Sequence, residues 1–184
     1  MAAAAGAAPP RALALGEKLP ADVLAGRAAL PHPPAPVVLE GTHVVLRPTE
    51  PAVDAGPLFE ATAGAPLLGR PAYDADEAVW RWLFSGPFGS VADMRAYLEW
   101  SASRPGALLF TVIDKRSQRP AGCISFLNSV PANLSIEIGG IFYGPAWQGL
   151  YCNTEATLLT CKYAFELGAA AWGCAARARG GRLA

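Results

Sequence analysis

The chain of 184 residues has no excess of either charge, with 15 Lys and Arg against 15 Asp and Glu. A nucleic-acid-binding surface would need a basic stripe, so that class is not expected. No run of about 18 apolar residues occurs, which excludes an expected membrane-spanning helix. The four cysteines, Cys123, Cys152, Cys161 and Cys174, lack CxxC or Cys/His ligand spacing, so no metal site is expected. They read instead as reduced thiols of a cytoplasmic protein. Cys161 reads as core, whereas Cys152 sits in a loop where either packing or a reactive thiol is open. The Gly-Lys-Ser/Thr of a Walker loop is missing, and so is the G-x-G-x-x-G of a dinucleotide fingerprint. The length suits one domain with its own core.

Residues 1–36 are Ala- and Pro-rich and close on Pro31-His32-Pro33-Pro34-Ala35-Pro36, a run that cannot join a sheet. They read as a disordered tail. An organelle transit peptide is the alternative; Arg11, Lys18 and Arg27 favour it, and Glu17, Asp22 and the scarcity of serine oppose it. The domain is expected over residues 37–168. Leu39 to Arg47 reads as a first strand broken at Pro48, with His43 as a surface neighbour of apolar positions. Ala52 to Ala63 reads as a helix. Trp80, Trp82, Leu83 and Phe84 form an aromatic cluster that serves either as core or as a pocket wall, core being preferred. Ser90 followed by Asp93 reads as a helix start, with Met94, Tyr97 and Leu98 on one face and an end near Ser103. Leu108–Asp114 and Ala121–Leu127, joined by a polar turn, read as a hairpin.

The informative stretch runs from Leu134 to Leu167. Ile136 and Ile138 alternate with Ser135, Glu137 and Gly139, as in a strand. From Thr154 onward Ala156, Leu159, Tyr163 and Leu167 recur at helical spacing. Between them Gly144-Pro145 breaks the chain, and Gln148-Gly149-Leu150-Tyr151-Cys152-Asn153 leads into the helix. Unpaired N–H groups and the helix dipole make such a junction receptive to anions, a diphosphate in particular.

This segment resembles the centre of the GNAT acyl-CoA N-acyltransferases, most closely the branch that acetylates ribosomal-protein N-termini and small amines. Gln148-Gly149 matches the start of that branch's pyrophosphate loop. Thr154-Glu155-Ala156 matches the opening of its helix, and Tyr163 to Gly168 the helix end. Tyr151 stands where a second glycine is usual, and Asn153 where a small residue is usual. Leu39 to Pro48 is similar to the branch's opening motif, and Gly122-Cys123-Ile124-Ser125-Phe126 to its third strand. The resemblance implies an α/β (α+β) fold, a mixed sheet flanked by helices. It implies acetyl-CoA as co-substrate and an amine acceptor, a small molecule or a protein N-terminus. Residues 169–184 are low in complexity; Trp172-Gly173-Cys174 could form a poor fifth strand, and the family's last helix and strand pair have no counterpart.

Under that resemblance the main chain from Gly149 to Thr154, with Gln148, Leu150, Tyr151, Cys152 and Asn153, would hold the diphosphate. Ile141, Phe142 and Tyr143 would pair with the pantetheine arm. Glu137 is the candidate general base; a solvated strand carboxylate is an equal alternative. Glu155 reads as a charge complementing the helix dipole. Tyr143 and Tyr151 are candidates for the general acid on spacing alone. A catalytically inactive binding module of the same fold is the competing functional class.

Overall fold

In the computed structural model, residue 21, residues 32–133 and 135–167, and the backbone of 173–176 are described. Among them one sheet runs in the order β1 (Leu39–Glu40), β2 (Val44–Pro48), β3 (Leu108–Asp114), β4 (Arg119–Val130), β5 (Ser135–Tyr143), β6 (Gly173–Ala176). The first five strands pair antiparallel, and β6 lies parallel to β5. Helices α1 (Pro51–Thr62), α2 (Val91–Ala102) and α3 (Tyr151–Glu166) flank it, with a π-helical turn at Asp76–Trp80. The expected mixed sheet and its flanking helices are therefore present.

Alternation along the strands divides the apolar side chains between two faces. Leu46, Phe110, Ile124, Phe126, Ile136 and Ile138 are buried with Cys152, Ala156 and Ala164 of α3. Leu109, Cys123 and Phe142 are buried with Leu58 of α1, Met94 and Leu98 of α2, and Trp80. The buried stripe of α3 differs from the expected one. Cys152, Ala156, Thr160 and Ala164 are buried at every fourth position, while Leu159, Tyr163 and Leu167 are only partly covered. Small side chains on that stripe let the helix lie close to the sheet, which leaves the larger residues at its flanks.

Two further local readings change. The single first strand is a hairpin: β1 folds back on β2 through Gly41–His43, closed by Gly41 N–H donating to Val44 O at 2.9 Å. Helix α3 begins at Tyr151, a turn before the expected Thr154. The capping pair at α2 is as expected, since Asp93 N–H donates to Ser90 Oγ at 3.2 Å and Ser90 Oγ donates to Asp93 Oδ2 at 2.8 Å. The tail reaches the domain before residue 37: His32 N–H donates to Leu167 O at 3.0 Å, and the Tyr163 hydroxyl bonds both backbone groups of Ala35 at 3.1 Å. Residues 1–20 and 22–31 lie outside the described residues.

The Arg-Pro ending of β2 has a mechanical role. Asp54 of α1 is fully buried. It accepts from both terminal nitrogens of Arg47, from Glu50 N–H at 2.7 Å and from Thr111 Oγ1 at 2.9 Å. This network fixes the start of α1 to β2 and β3. Asp54→Ala removes the carboxylate from Arg47, which keeps only Pro48 O and the Glu50 carboxylate at 3.9 Å, and takes the acceptor from Glu50 N–H; it should lower stability by about 3 kcal/mol in urea unfolding, and a change within about 0.5 kcal/mol would show that the network is dispensable.

Candidate active site

Among the described residues, β6 pairs with only the first part of β5. Their ladder joins Ser135 to Gly173 and ends with Ile138 opposite Ala176. Beyond it, β5 continues to Tyr143 paired on its other side with β4 alone, so the edge over 139–143 faces no strand among the described residues. A bulge lies where the ladder stops. Ser125 faces Gly139 and Cys123 faces Phe142, leaving Ile124 alone opposite Gly140 and Ile141. Gly140 has φ +59°, a left-handed conformation that a side chain would strain. The extra residue also changes which face each side chain takes. Before it, Ile136 and Ile138 point to the α3 face; after it, Phe142 points to the α1/α2 face and Tyr143 to the α3 face.

The free edge runs directly into the loop ahead of α3. Gly149 has φ +71° and open space where a side chain would stand, so conformation, not crowding, calls for glycine there. Leu150 caps α3 without a side-chain hydrogen bond. The N–H groups of Tyr151, Cys152 and Asn153 open the helix and have no acceptor within it. Thr154 is the fourth residue, and its N–H falls within reach of the Leu150 carbonyl in the ordinary helical pattern. Two loop amides turn inward: Trp147 N–H donates to Gly144 O at 2.9 Å and Leu150 N–H to Trp147 O at 3.4 Å. The Gln148 side chain is a brace, donating to Ala78 O at 2.8 Å and Tyr143 O at 2.9 Å.

Asp114, at the end of β3, holds this loop in place. Its buried carboxylate accepts from Trp147 Nε1 at 3.2 Å and from the Tyr151 hydroxyl at 2.8 Å, and so grips both ends of 147–151. It also accepts from Arg116 N–H, Ser117 N–H and Ser117 Oγ in its own turn. The Tyr151 ring lies 4.6 Å from that of His43, centroid to centroid. Its bulk is thereby turned towards β3 and the β1–β2 turn. Burial pushes the Asp114 carboxyl up, but the bonds from Ser117, Tyr151, Trp147 and Arg116 outweigh this and bring it down to about 2.

The opposite side of β5 opens on a cleft of about 590 Å³. Glu137, half-buried, faces it with Ser125, Gly139 and Ile141, and its Oε2 accepts from Asn128 Nδ2 at 2.8 Å. Trp82, Leu83 and Phe84 line the same cleft, while Trp80 is 2% exposed in the core. The aromatic cluster thus divides between both of its expected roles.

Comparison with known proteins agrees with this geometry. A profile described as "Acetyltransferase (GNAT) domain" matches residues 43–178. The chain belongs to the GNAT acetyltransferase family. Solved relatives include a GCN5-related N-acetyltransferase from Brucella melitensis, 32% identical with TM-score 0.67, covering 76% of this chain and 60% of that one. A probable GNAT acetyltransferase from Chromobacterium violaceum is 25% identical with TM-score 0.65, covering 90% and 72%. A ribosomal L7/L12 alpha-N-protein acetyltransferase in complex with coenzyme A is similar in fold at 15% identity, TM-score 0.52, covering 69% and 67%. The chain thus spans 60% of the length of the Brucella relative. The curated proteins give no match.

Within this GNAT domain the expected residues fall into distinct places. Ile141, Phe142 and Tyr143 lie on the edge that no described strand pairs, and Gly149, Tyr151 and Asn153 stand at the start of α3 beside the fully buried Cys152. The Cys152 thiol itself is buried and pushed up to about 11, chiefly by burial, so it is a packing residue and not a reactive one. Neither tyrosine faces the cleft as an acid. The Tyr151 hydroxyl is engaged by Asp114, which raises its pKa, and burial raises that of Tyr143, whose hydroxyl has no hydrogen-bond partner among the described residues. Glu155 does more than complement a dipole: it accepts from Thr42, His43 and Val44 N–H at 2.5, 2.8 and 3.0 Å, holding the β1–β2 turn to α3. Asp114 and Asn128 were not singled out from sequence. An Asp closing an apolar strand before a polar turn is a signal for a turn carboxylate; its partners Trp147 and Tyr151 lie too far along the chain to be read from spacing.

The lowered Asp114 value sets a pH dependence. A depressed carboxyl stabilises the fold above its unfolded pKa and loses that contribution as pH falls through the folded one. Asp114→Asn should therefore be about 2 kcal/mol less stable than the parent at pH 7. The gap should narrow below pH ~4 and close towards pH ~2. Urea midpoints across this range test it, and a gap that does not change with pH contradicts the assignment.

Proposed function

We propose that this chain is an acetyl-CoA-dependent N-acetyltransferase whose acceptor is a primary amine, on a small molecule or a protein N-terminus. The observation that carries the reading is that the β5 edge over 139–143, which no strand covers among the described residues, leads into the loop and start of α3. An extended arm can lie along the edge at 141–143, like an added strand. Its diphosphate then meets the N–H groups of Gly149, Tyr151 and Asn153 and the positive end of the α3 dipole. The thioester is thereby delivered beside Gly139 and Gly140, where the cleft holding Glu137 begins.

The reaction uses that proximity. The acceptor arrives as an ammonium and gives one proton to the Glu137 carboxylate, directly or through a water. The free amine attacks the thioester carbonyl carbon, forming a C–N bond, and an edge N–H of β5 would receive the developing oxyanion. The C–S bond then breaks, the CoA thiolate takes a proton from the nitrogen, and an amide and a free thiol leave. Asn128 acts as a positioning residue, since its amide orients the Glu137 carboxylate.

Acetyl-CoA at one hundred times its Kd should stabilise the chain by about 2.7 kcal/mol, read as a rise in Tm. Saturating cofactor with no shift contradicts the reading. Glu137→Gln should leave that shift intact and slow acetylation roughly 100-fold or more, most strongly below the pKa of the amine. A variant as fast as the parent across the pH range removes Glu137 from the role of base.

A further inference from the structure

Of the residues lining the Glu137 cleft, only Arg104 and Glu137 carry charge. Arg104 follows the C-terminus of α2, is exposed, and holds its guanidinium over Trp100, with Cζ 5.3 Å from the ring centroid. Stacking orients the planar group without occupying its N–H donors. Arg104 forms no ion pair with any carboxylate among the described residues, Glu137 included. Glu137 accepts from Asn128 and likewise forms no ion pair among the described residues. Two opposite charges therefore face one cleft without neutralising each other. The rest of the lining combines the apolar and aromatic Trp82, Leu83, Tyr97, Leu109 and Leu127 with the polar Ser85, Ser101, Ser125 and Asn128.

From this arrangement we infer that the acceptor is a free α-amino acid with an apolar or aromatic side chain. The inference rests on the acetyltransferase reading above and names its substrate class. The α-ammonium meets Glu137, where it loses its proton. The α-carboxylate meets the Arg104 fork, whose planar donors suit bidentate capture of a carboxylate. The side chain packs on the aromatic wall. A polyamine offers no anion to Arg104 and would bring a second cation towards it. A protein N-terminus has its first carboxyl locked in a peptide bond, so the guanidinium gains no charged partner from it. A site built around a specific polar partner discriminates strongly against an analogue lacking that group.

Calorimetric titration of the full chain with phenylalanine and with phenylalaninamide tests the carboxylate contact separately from turnover. The amino acid should bind at least tenfold more tightly than its amide, consistent with a charge-assisted hydrogen bond. Arg104→Gln should abolish this preference while leaving amide binding unchanged, and Arg104→Lys should restore part of it. Equal binding of acid and amide, failure of both to bind, or a preference that survives Arg104→Gln overturns the inference. Turnover then separates the two claims. An amino acid that binds through Arg104 yet is never acetylated in the presence of acetyl-CoA counts against the acetyltransferase reading and leaves the binding class standing. Acetylation of spermidine or a peptide N-terminus in preference to phenylalanine supports the acetyltransferase reading and overturns the amino-acid acceptor.

Discussion

One extra residue in β5 organises the site. Opposite Ile124 the strand places both Gly140 and Ile141, and the left-handed φ of Gly140 absorbs the surplus. Up to that point β5 is an interior strand, paired on both sides. Past it, no strand among the described residues pairs with the second edge of β5. An open edge is ordinarily a hazard, since its N–H and C=O groups invite pairing with another chain. Here it is short and leads within a few residues to a helix start that also has unpaired donors. The same bulge changes the side-chain phase, so Glu137 faces the cleft while Tyr143, six residues on, is buried on the α3 face. Cofactor edge and candidate base are thus separated by a single local irregularity.

The loop would be of little use if it were free to move, and Asp114 is what restrains it. A buried carboxylate accepting several hydrogen bonds is stable as the anion and rigid in orientation. By taking bonds from Trp147 and Tyr151 it ties the end of β3 to both ends of the loop. It also explains how a tyrosine can stand where a glycine is usual. The ring is held against His43 and its hydroxyl is taken by Asp114, so its bulk is directed to the β1–β2 side. Glu155 completes the arrangement by binding that turn to the first part of α3.

Where the physics is local, the sequence was readable. Ser90 and Asp93 cap α2 because a hydroxyl and a carboxylate three residues apart reach each other's neighbourhood in the first turn. The β3–β4 hairpin followed from two apolar runs around a polar turn, and the central strand and helix from their change of period. The family was legible from the letters around Gly149 and Thr154. What escaped notice depends on partners distant in the chain: Asp114 with Trp147 and Tyr151, and Glu155 with the β1–β2 turn. The stripe of α3 was misread because hydrophobicity favours Leu159 and Tyr163, whereas close packing on a sheet favours Ala156, Thr160 and Ala164. Arg104 and Glu137 are charged residues on different elements, and nothing in their spacing marks them as sharing a cleft.

The central claim is that the β5 edge and the α3 amides together receive a coenzyme. A titration of labelled protein with coenzyme A, followed by amide-resolved NMR, addresses it residue by residue. The largest changes are expected at the backbone N–H groups of 141–143, Gly149, Tyr151 and Asn153, with the inward-turned amides of Trp147 and Leu150 less affected. Changes confined to other surfaces, with these amides unmoved at saturation, would contradict the account.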